Sequence, residues 1–255
     1  MRLAIILKSL TEYMPVDYRR VFVSILKNAF SSVGEDVYNE LYGRPKVKPF
    51  TFSVYLPRAK FEENRIWIGK DRLITLNFST CFTNIGVMFY NGMIKNKENG
   101  FKYKGSNDGV YFQLINVNLR TENNIESDKV WFKTLSPLVV RKHIGGEKQK
   151  DEYLVLNRDN LKMFEKQLNI NMEPVFREFM DKVYPLKISI VNDKEIKTIP
   201  VKIANDEGKI GYIRGNLGKF ILSGHPDALN FVYKVGLGAR RSYGFGMLEV
   251  VKEDE

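Results

Sequence analysis

The chain has 255 residues, 44% of them apolar, which suffices for an ordinary hydrophobic core in one large domain or two small ones. Its net charge of +10 favours a polyanionic partner, either nucleic acid or an anionic membrane, although a lysine-rich surface can also serve solubility alone. The single cysteine, Cys81, excludes a disulfide within the chain, and the apolar run that ends at Lys8 is too short for a signal peptide or a membrane span. These features predict a cytoplasmic protein.

The first half of the chain follows a βαββαβ pattern. Residues 3–7 form a compact apolar run that predicts a buried strand. Asp17 is a candidate N-cap for an amphipathic helix over 18–33, which Gly34 ends. The pattern then predicts a short helix over 36–42, strands at 50–56, 65–68 and 73–78, a helix over 85–93, and strands at 101–104 and 110–117. This order is typical of a ferredoxin-like unit.

The second half repeats the order less cleanly. The polar stretch 120–129 is predicted to connect two domains, 1–122 and 128–255. After it come a strand over 130–141 interrupted at Pro137 and a helix over 160–180 that Pro174 should break. Strands at 186–191, 198–203 and 210–222, a short helix over 229–235 and a strand at 247–251 complete the pattern. The predicted fold is α+β, with two tandem ferredoxin-like (RRM-like) domains.

A glycine-rich segment, residues 236–246, lies between the last helix and the last strand. It contains two Gly-apolar-Gly triplets separated by five residues, of which Arg240 and Arg241 are basic. Because glycine permits close backbone approach and positive φ, we expect a flexible cationic lip that suits a phosphate backbone. A charged surface loop is the alternative interpretation.

Positive charge is concentrated in two segments. Residues 42–60 hold five basic side chains and no acid, and the span from Lys209 to Leu248 holds six basic side chains and one acid, Asp227. Together they predict a channel for a single strand or a stem of nucleic acid, with two solvated surfaces as the alternative. No Walker, zinc or calcium motif is present, so neither a cofactor nor a metal is predicted.

The glycine-rich segment resembles the glycine-rich loop of the repeat-associated mysterious proteins of CRISPR systems. Within that superfamily the chain is similar to the repeat-processing endoribonuclease, the sixth Cas family. The resemblance extends over nearly the whole chain through residues 26–29 (LKNA), 50–53 (FTFS), 78–80 (FST), 134–140 (TLSPLVV) and 224–226 (GHP). It implies tandem ferredoxin-like domains, CRISPR repeat RNA as partner, and a multisubunit effector complex or a homodimer as assemblies, with no membrane partner.

The resemblance also implies a reaction. The family cuts repeat RNA without metal, by attack of a 2′-hydroxyl on the adjacent phosphate, and many members use a histidine as the base. This chain has only His143 and His225, both outside residues 1–142. An ungapped alignment of residues 41–50 places Tyr42 at the family histidine and Lys48 at the family lysine, while Lys27 falls where a tyrosine is common.

Two hypotheses follow. In the first, Lys27, Tyr42 and Lys48 form a histidine-free nuclease site, in which Tyr42 or Lys27 moves the proton and neighbouring cations lower a lysine pKa or favour a tyrosinate. In the second, the chain is a non-catalytic RNA-binding subunit. His143 is expected in a basic hairpin turn, with three alternatives for its role: an RNA contact, a replacement for the missing histidine, or a surface histidine without a role. His225 is expected to be structural. The expected RNA contacts in both cases are Arg44, Lys46, Arg141, His143, Arg214, Lys219, Gly236, Gly238, Arg240, Arg241, Ser242, Gly244, Phe245 and Gly246.

Overall fold

The computed structural model describes residues 1–105, 109–144, 150–204 and 210–252. Two compact units divide the chain: Met1–Lys48 with Phe52–Glu122, and Pro49–Thr51 with Asn123–Glu255. The fold is α+β with antiparallel sheets, as predicted. Lys209, which is counted in the second basic segment, and residues 145–149, which adjoin the predicted turn at His143, lie outside the described residues.

The elements of the first unit are, in chain order, β1 (Arg2–Ser9), β2 (Tyr13–Pro15), α1 (Tyr18–Val33), α2 (Glu35–Tyr42), β3 (Phe50–Tyr55), β4 (Lys60–Phe61), β5 (Arg65–Trp67), β6 (Leu73–Thr80), α3 (Thr83–Lys95), β7 (Phe101–Tyr103) and β8 (Val110–Arg120). The unit is built on a five-stranded antiparallel sheet in the order β3-β6-β1-β8-β7, and it also has a small sheet in the order β2-β5-β4.

An aromatic core joins the helices of this unit to its sheet. Phe22 of α1 packs on Phe112 with ring centroids 5.7 Å apart, and Phe89 of α3 lies 4.2 Å from Phe78. Each buried phenylalanine contributes about 1.5–3 kcal/mol by burial. Asp17 precedes α1 as predicted, but its side chain accepts no capping hydrogen bond; it lies instead 3.9 Å from the Arg20 guanidinium.

The elements of the second unit are β9 (Lys129–Thr134), β10 (Arg141–Ile144), β11 (Lys150–Tyr153), α4 (Leu161–Phe179), β12 (Lys187–Ser189), β13 (Lys197–Ala204), β14 (Ile210–Leu217), β15 (Lys219–Ser223), α5 (Pro226–Val235) and β16 (Leu248–Val250). They form a four-stranded antiparallel sheet in the order β12-β15-β9-β16 and two separate hairpins, β10–β11 and β13–β14.

Three sequence predictions for this unit are wrong. The strand expected over 130–141 ends at Thr134, and β10 belongs to a different sheet. The helix expected to break at Pro174 continues through it to Phe179. The strand expected over 210–222 is two strands, because Gly218 turns the chain at φ +145, where an added Cβ would overlap the Glu195 carbonyl.

A buried asparagine fixes the β13–β14 hairpin to its surroundings. Asn216 donates to the carbonyls of Leu138 and Leu154, at 3.1 and 3.0 Å, and accepts from the Leu156 amide at 2.8 Å. Since an unpaired buried amide would cost about 1–3 kcal/mol, this bonding pattern defines one position for the hairpin. The hairpin and the glycine-rich segment share a small core of Val139, Val201, Ile213 and Phe245.

Candidate functional site

Three predicted residues of the first unit come together in a lysine–tyrosine cluster, Lys27, Tyr42 and Lys48. Tyr42 is the last residue of α2, Lys27 is on α1, and Lys48 lies in the connection to β3. The Lys27 and Lys48 Nζ atoms lie 5.4 and 5.0 Å from the centroid of the Tyr42 ring. Both distances are within the range of cation–π attraction, so both lysine side chains lie within reach of the same ring.

The Tyr42 hydroxyl is buried and has no hydrogen-bond partner. Burial raises the pKa of Tyr42 far above its ordinary value, and neighbouring Tyr38 adds to the increase. The prediction that nearby cations favour a tyrosinate is therefore wrong, because loss of hydration outweighs their attraction. At neutral pH Tyr42 is a neutral phenol and cannot act as a base.

Lys48 is the lysine of the cluster whose pKa is lowered. Burial lowers the pKa of its ammonium group, and the positive charges of Lys27 and Lys46 lower it further. This is the direction expected for clustered lysines. Arg44 and Lys46 are exposed, so they add positive charge beside the cluster from the solvent side.

The Tyr42→Phe variant separates the ring from its hydroxyl. We expect it to fold with unchanged or slightly higher stability, because the buried hydroxyl that it removes makes no hydrogen bond. Under the hypothesis of a histidine-free nuclease site, the RNA cleavage rate should stay within about threefold of wild type, since cation–π attraction to a phenyl ring persists. Urea unfolding and single-turnover cleavage measure the two effects. A large loss of cleavage with intact folding would assign the hydroxyl a chemical role.

The glycine-rich segment of the second unit is closely packed, so the prediction of a flexible lip is wrong. Gly236, Gly238, Gly244 and Gly246 are buried and have φ between +66 and +87. The Leu237 amide donates to the Gly246 carbonyl at 2.9 Å, and the Gly246 amide donates to the Pro137 carbonyl at 2.9 Å. Glycine is needed at these positions because the backbone has positive φ and is closely packed. The glycines do not make the segment flexible.

Thr51, a residue of β3 that belongs to the second compact unit, supports this segment. Its Oγ1 donates to the Phe245 carbonyl at 2.9 Å and lies 3.3 Å from the Arg241 carbonyl oxygen. A Cβ at Gly236 would lie 2.8 Å from the Thr51 Cβ. Sequence reasoning quoted Thr51 only within a family motif and missed this structural role.

The two arginines of the segment differ in environment. Arg241 is only 6% exposed and donates to the Val235 carbonyl at the end of α5, where a cation is favourable. Arg240 is half-buried, adopts φ +57, and donates from Nε and a terminal nitrogen to the Tyr153 hydroxyl at 3.2 and 2.9 Å. Of the two, Arg240 is the one whose guanidinium is partly accessible to a ligand.

His143 lies in strand β10, opposite Asp151 of β11, and not in a turn as predicted, and acidic side chains of this hairpin pair with its basic ones. Asp151 lies 3.0 Å from His143 Nδ1 and 3.3 Å from Arg141, and a terminal Arg141 nitrogen lies 2.8 Å from His143 Nε2. Elsewhere in the unit, Arg214 is exposed on β14, and Lys219 and Ser242 are partly exposed. The structure therefore places the predicted RNA contacts on several elements, with differing freedom to meet a phosphate.

His225 has the structural role expected for it. Its Nδ1 accepts from the Asp227 amide at 3.3 Å and so caps the start of α5. Among the described side chains, no three His, Cys, Asp or Glu residues are grouped so as to hold a metal ion. In the same part of the chain, no helix is long and apolar enough to cross a membrane.

Comparisons with known proteins agree on the family. The model for CRISPR associated protein Cas6, C-terminal, matches residues 116–250. The structure of a Cas6-related gene product from Pyrococcus furiosus superposes with a TM-score of 0.80 at 24% identity over 99% of both chains. An RAMP protein binding different RNA substrates gives 0.77 at 22% identity over 99% and 100% of the two chains, and a Cas6 product complex gives 0.68 at 16% identity over 98% and 100%.

The structural matches establish the tandem ferredoxin-like fold, as predicted. No curated protein is similar enough in sequence to count as a match. The family model covers more than half of the 255 residues and includes the whole glycine-rich segment. The chain therefore belongs to the Cas6 family of CRISPR-associated proteins.

Proposed function

We propose that the chain is a cytoplasmic, metal-independent endoribonuclease that cuts CRISPR repeat RNA. The observation that supports it is the lysine–tyrosine cluster, in which the Nζ atoms of two lysines lie 5.4 and 5.0 Å from the centroid of one aromatic ring. In the proposed reaction a 2′-oxygen loses its proton and bonds to the adjacent phosphorus, and the bond from phosphorus to the 5′-oxygen breaks. The products are a 2′,3′-cyclic phosphate and a 5′-hydroxyl.

Each member of the cluster has a role that its environment favours. Lys48, whose pKa is lowered by burial, accepts the 2′-hydroxyl proton as a neutral amine. The Lys27 ammonium stabilises the negative charge of the phosphorane and gives a proton to the departing 5′-oxygen. The Tyr42 ring attracts the Lys27 ammonium by cation–π interaction and lies beside the Lys48 amine.

The RNA strand is held by cations outside the cluster. Arg44 and Lys46 are exposed beside it, and in the second unit Arg240 is the partly accessible arginine of the glycine-rich segment. Arginine is suited to such contacts because its planar guanidinium can bind phosphate with two hydrogen bonds. Further phosphate contacts are proposed for Arg141, His143, Arg214, Lys219 and Ser242.

The second candidate function is a non-catalytic RNA-binding subunit that holds processed guide RNA in a multisubunit effector complex. It is favoured by the state of the aromatic residue that replaces the family histidine, because the Tyr42 hydroxyl is buried and its pKa is raised. One structural relative is itself described as binding different RNA substrates. In this function the lysines contact phosphates without transferring protons.

A cleavage assay with EDTA separates the two functions. Purified protein is incubated with labelled repeat RNA from the host's own array, in parallel with RNA that carries a 2′-deoxy substitution at each position in turn. We expect cutting at one site in the presence of EDTA, a 2′,3′-cyclic phosphate product, and loss of cutting with one 2′-deoxy position only. A gel shift without any product would support the non-catalytic function.

A further inference from the structure

A column of aromatic rings runs from the core of the first unit to its surface. Phe30 packs on Phe89 with centroids 5.6 Å apart, and Tyr42 lies 6.3 Å from Phe30. Tyr38, one turn before Tyr42 on α2, stacks on it at 5.5 Å with an interplanar angle of 27°. Phe30 and Phe89 are fully buried, whereas Tyr38 is partly exposed at the outer end of the column.

We propose that Tyr38 is an RNA-binding residue that favours unpaired RNA by stacking a nucleobase next to the scissile phosphate. The inference rests on the proposed function, since it assumes that the lysine–tyrosine cluster holds that phosphate. One face of the Tyr38 ring is occupied by Tyr42, and among the described residues no other ring packs against Tyr38. A partly exposed aromatic ring with one face packed on another ring is an arrangement suited to binding single-stranded nucleic acid by stacking.

The neighbouring charges place a phosphate within reach of this ring. The Nζ atoms of Lys27 and Lys48 lie 5.4 and 5.0 Å from the Tyr42 ring, and Tyr38 is the next ring of the column. A base attached to a ribose that flanks the bound phosphate can therefore meet Tyr38. Because Tyr42 already orders the Tyr38 ring, stacking costs little side-chain entropy.

Stacking on a tyrosine also limits the kind of RNA that is bound. A base within a duplex is already stacked on both sides, so the nucleotide at Tyr38 must be unpaired at the moment of binding. Every base has a π-face, which makes the contact tolerant of sequence. We expect a purine to be preferred over a pyrimidine at this position by a few-fold, since its π-face is larger.

A double-mutant cycle between protein and RNA tests the proposal. The full-length chain and its Tyr38→Ala, Tyr38→Leu and Tyr38→Phe variants are compared on repeat RNA and on two RNAs with an abasic site on either side of the cut. We expect Tyr38→Ala and Tyr38→Leu to lower kcat/KM on intact RNA by about 5- to 100-fold. On one of the abasic RNAs the same variants should match wild type, and Tyr38→Phe should match wild type throughout. Tyr90→Ala, which removes another partly exposed tyrosine of the same unit, is the control.

The outcomes separate this inference from the proposed function. Tyr38→Leu keeps an apolar side chain at the position, so wild-type activity of this variant on intact RNA overturns stacking. Equal losses on intact RNA and on both abasic RNAs overturn it as well. If wild type cuts no RNA, the nuclease proposal fails, and the same cycle is measured as Kd. Coupling between Tyr38 and one base then supports the stacking contact, and its absence overturns it.

Discussion

Lys48→Ala is expected to lower the single-turnover cleavage rate by roughly 10²–10⁴-fold, the usual contribution of a general base. The side chain is half-buried beside Tyr42, and burial and neighbouring positive charges lower the pKa of its ammonium group. RNA affinity should change little, because Lys27 and the exposed Lys46 keep positive charge at the site. Cleavage rate at saturating protein and Kd from filter binding measure the two effects separately.

The pH dependence identifies the protonation state that acts. In the proposed mechanism Lys48 acts as a neutral amine, so the cleavage rate should rise with pH through its lowered pKa and level off above it. Lys48→Arg keeps the charge but stays protonated, and it should lose both activity and the rise with pH. Lys97→Ala removes an exposed lysine of the same unit and should behave as wild type. A wild-type rate that falls with pH over this range would instead make the Lys48 ammonium the general acid.

The lysine–tyrosine cluster shows how far the sequence leads. Hydrophobic periodicity predicted α1 with the bounds observed and α2 to within one residue, and the family alignment selected Lys27, Tyr42 and Lys48. Sequence spacing does not show how deeply a side chain is buried. It therefore predicted a tyrosinate where the structure has a buried phenol without a hydrogen-bond partner. The sequence analysis did not single out Tyr38, although its position four residues before Tyr42 on a predicted helix was a usable signal.

The glycine-rich segment shows the opposite case, in which a correct motif carried a wrong physical interpretation. Four glycines suggested flexibility, but each has a positive φ and is buried. Leu237 and Phe245 are fully buried, and Arg241 is turned to a backbone carbonyl. The family assignment survives this correction, because the family model covers the segment and a glycine required by packing is as diagnostic as one required by a ligand. What changes is the RNA contact proposed for this segment, which is Arg240 alone and not the arginine pair.

The packed interpretation of the segment makes a prediction about stability. Gly246→Ala should lower the free energy of unfolding by about 3 kcal/mol or more, since a Cβ at this position would overlap the Leu237 carbonyl and the residue has φ +66. Relieving the overlap would break the hydrogen bond from the Leu237 amide to the Gly246 carbonyl. Gly211→Ala is the matched control in the same unit, because among the described residues its Cβ would meet nothing closer than the Ile203 carbonyl oxygen at 3.9 Å. Urea midpoints that fall for Gly246→Ala and stay constant for Gly211→Ala would support close packing. Equal midpoints would restore the flexible lip, and with it Arg241 as an RNA contact.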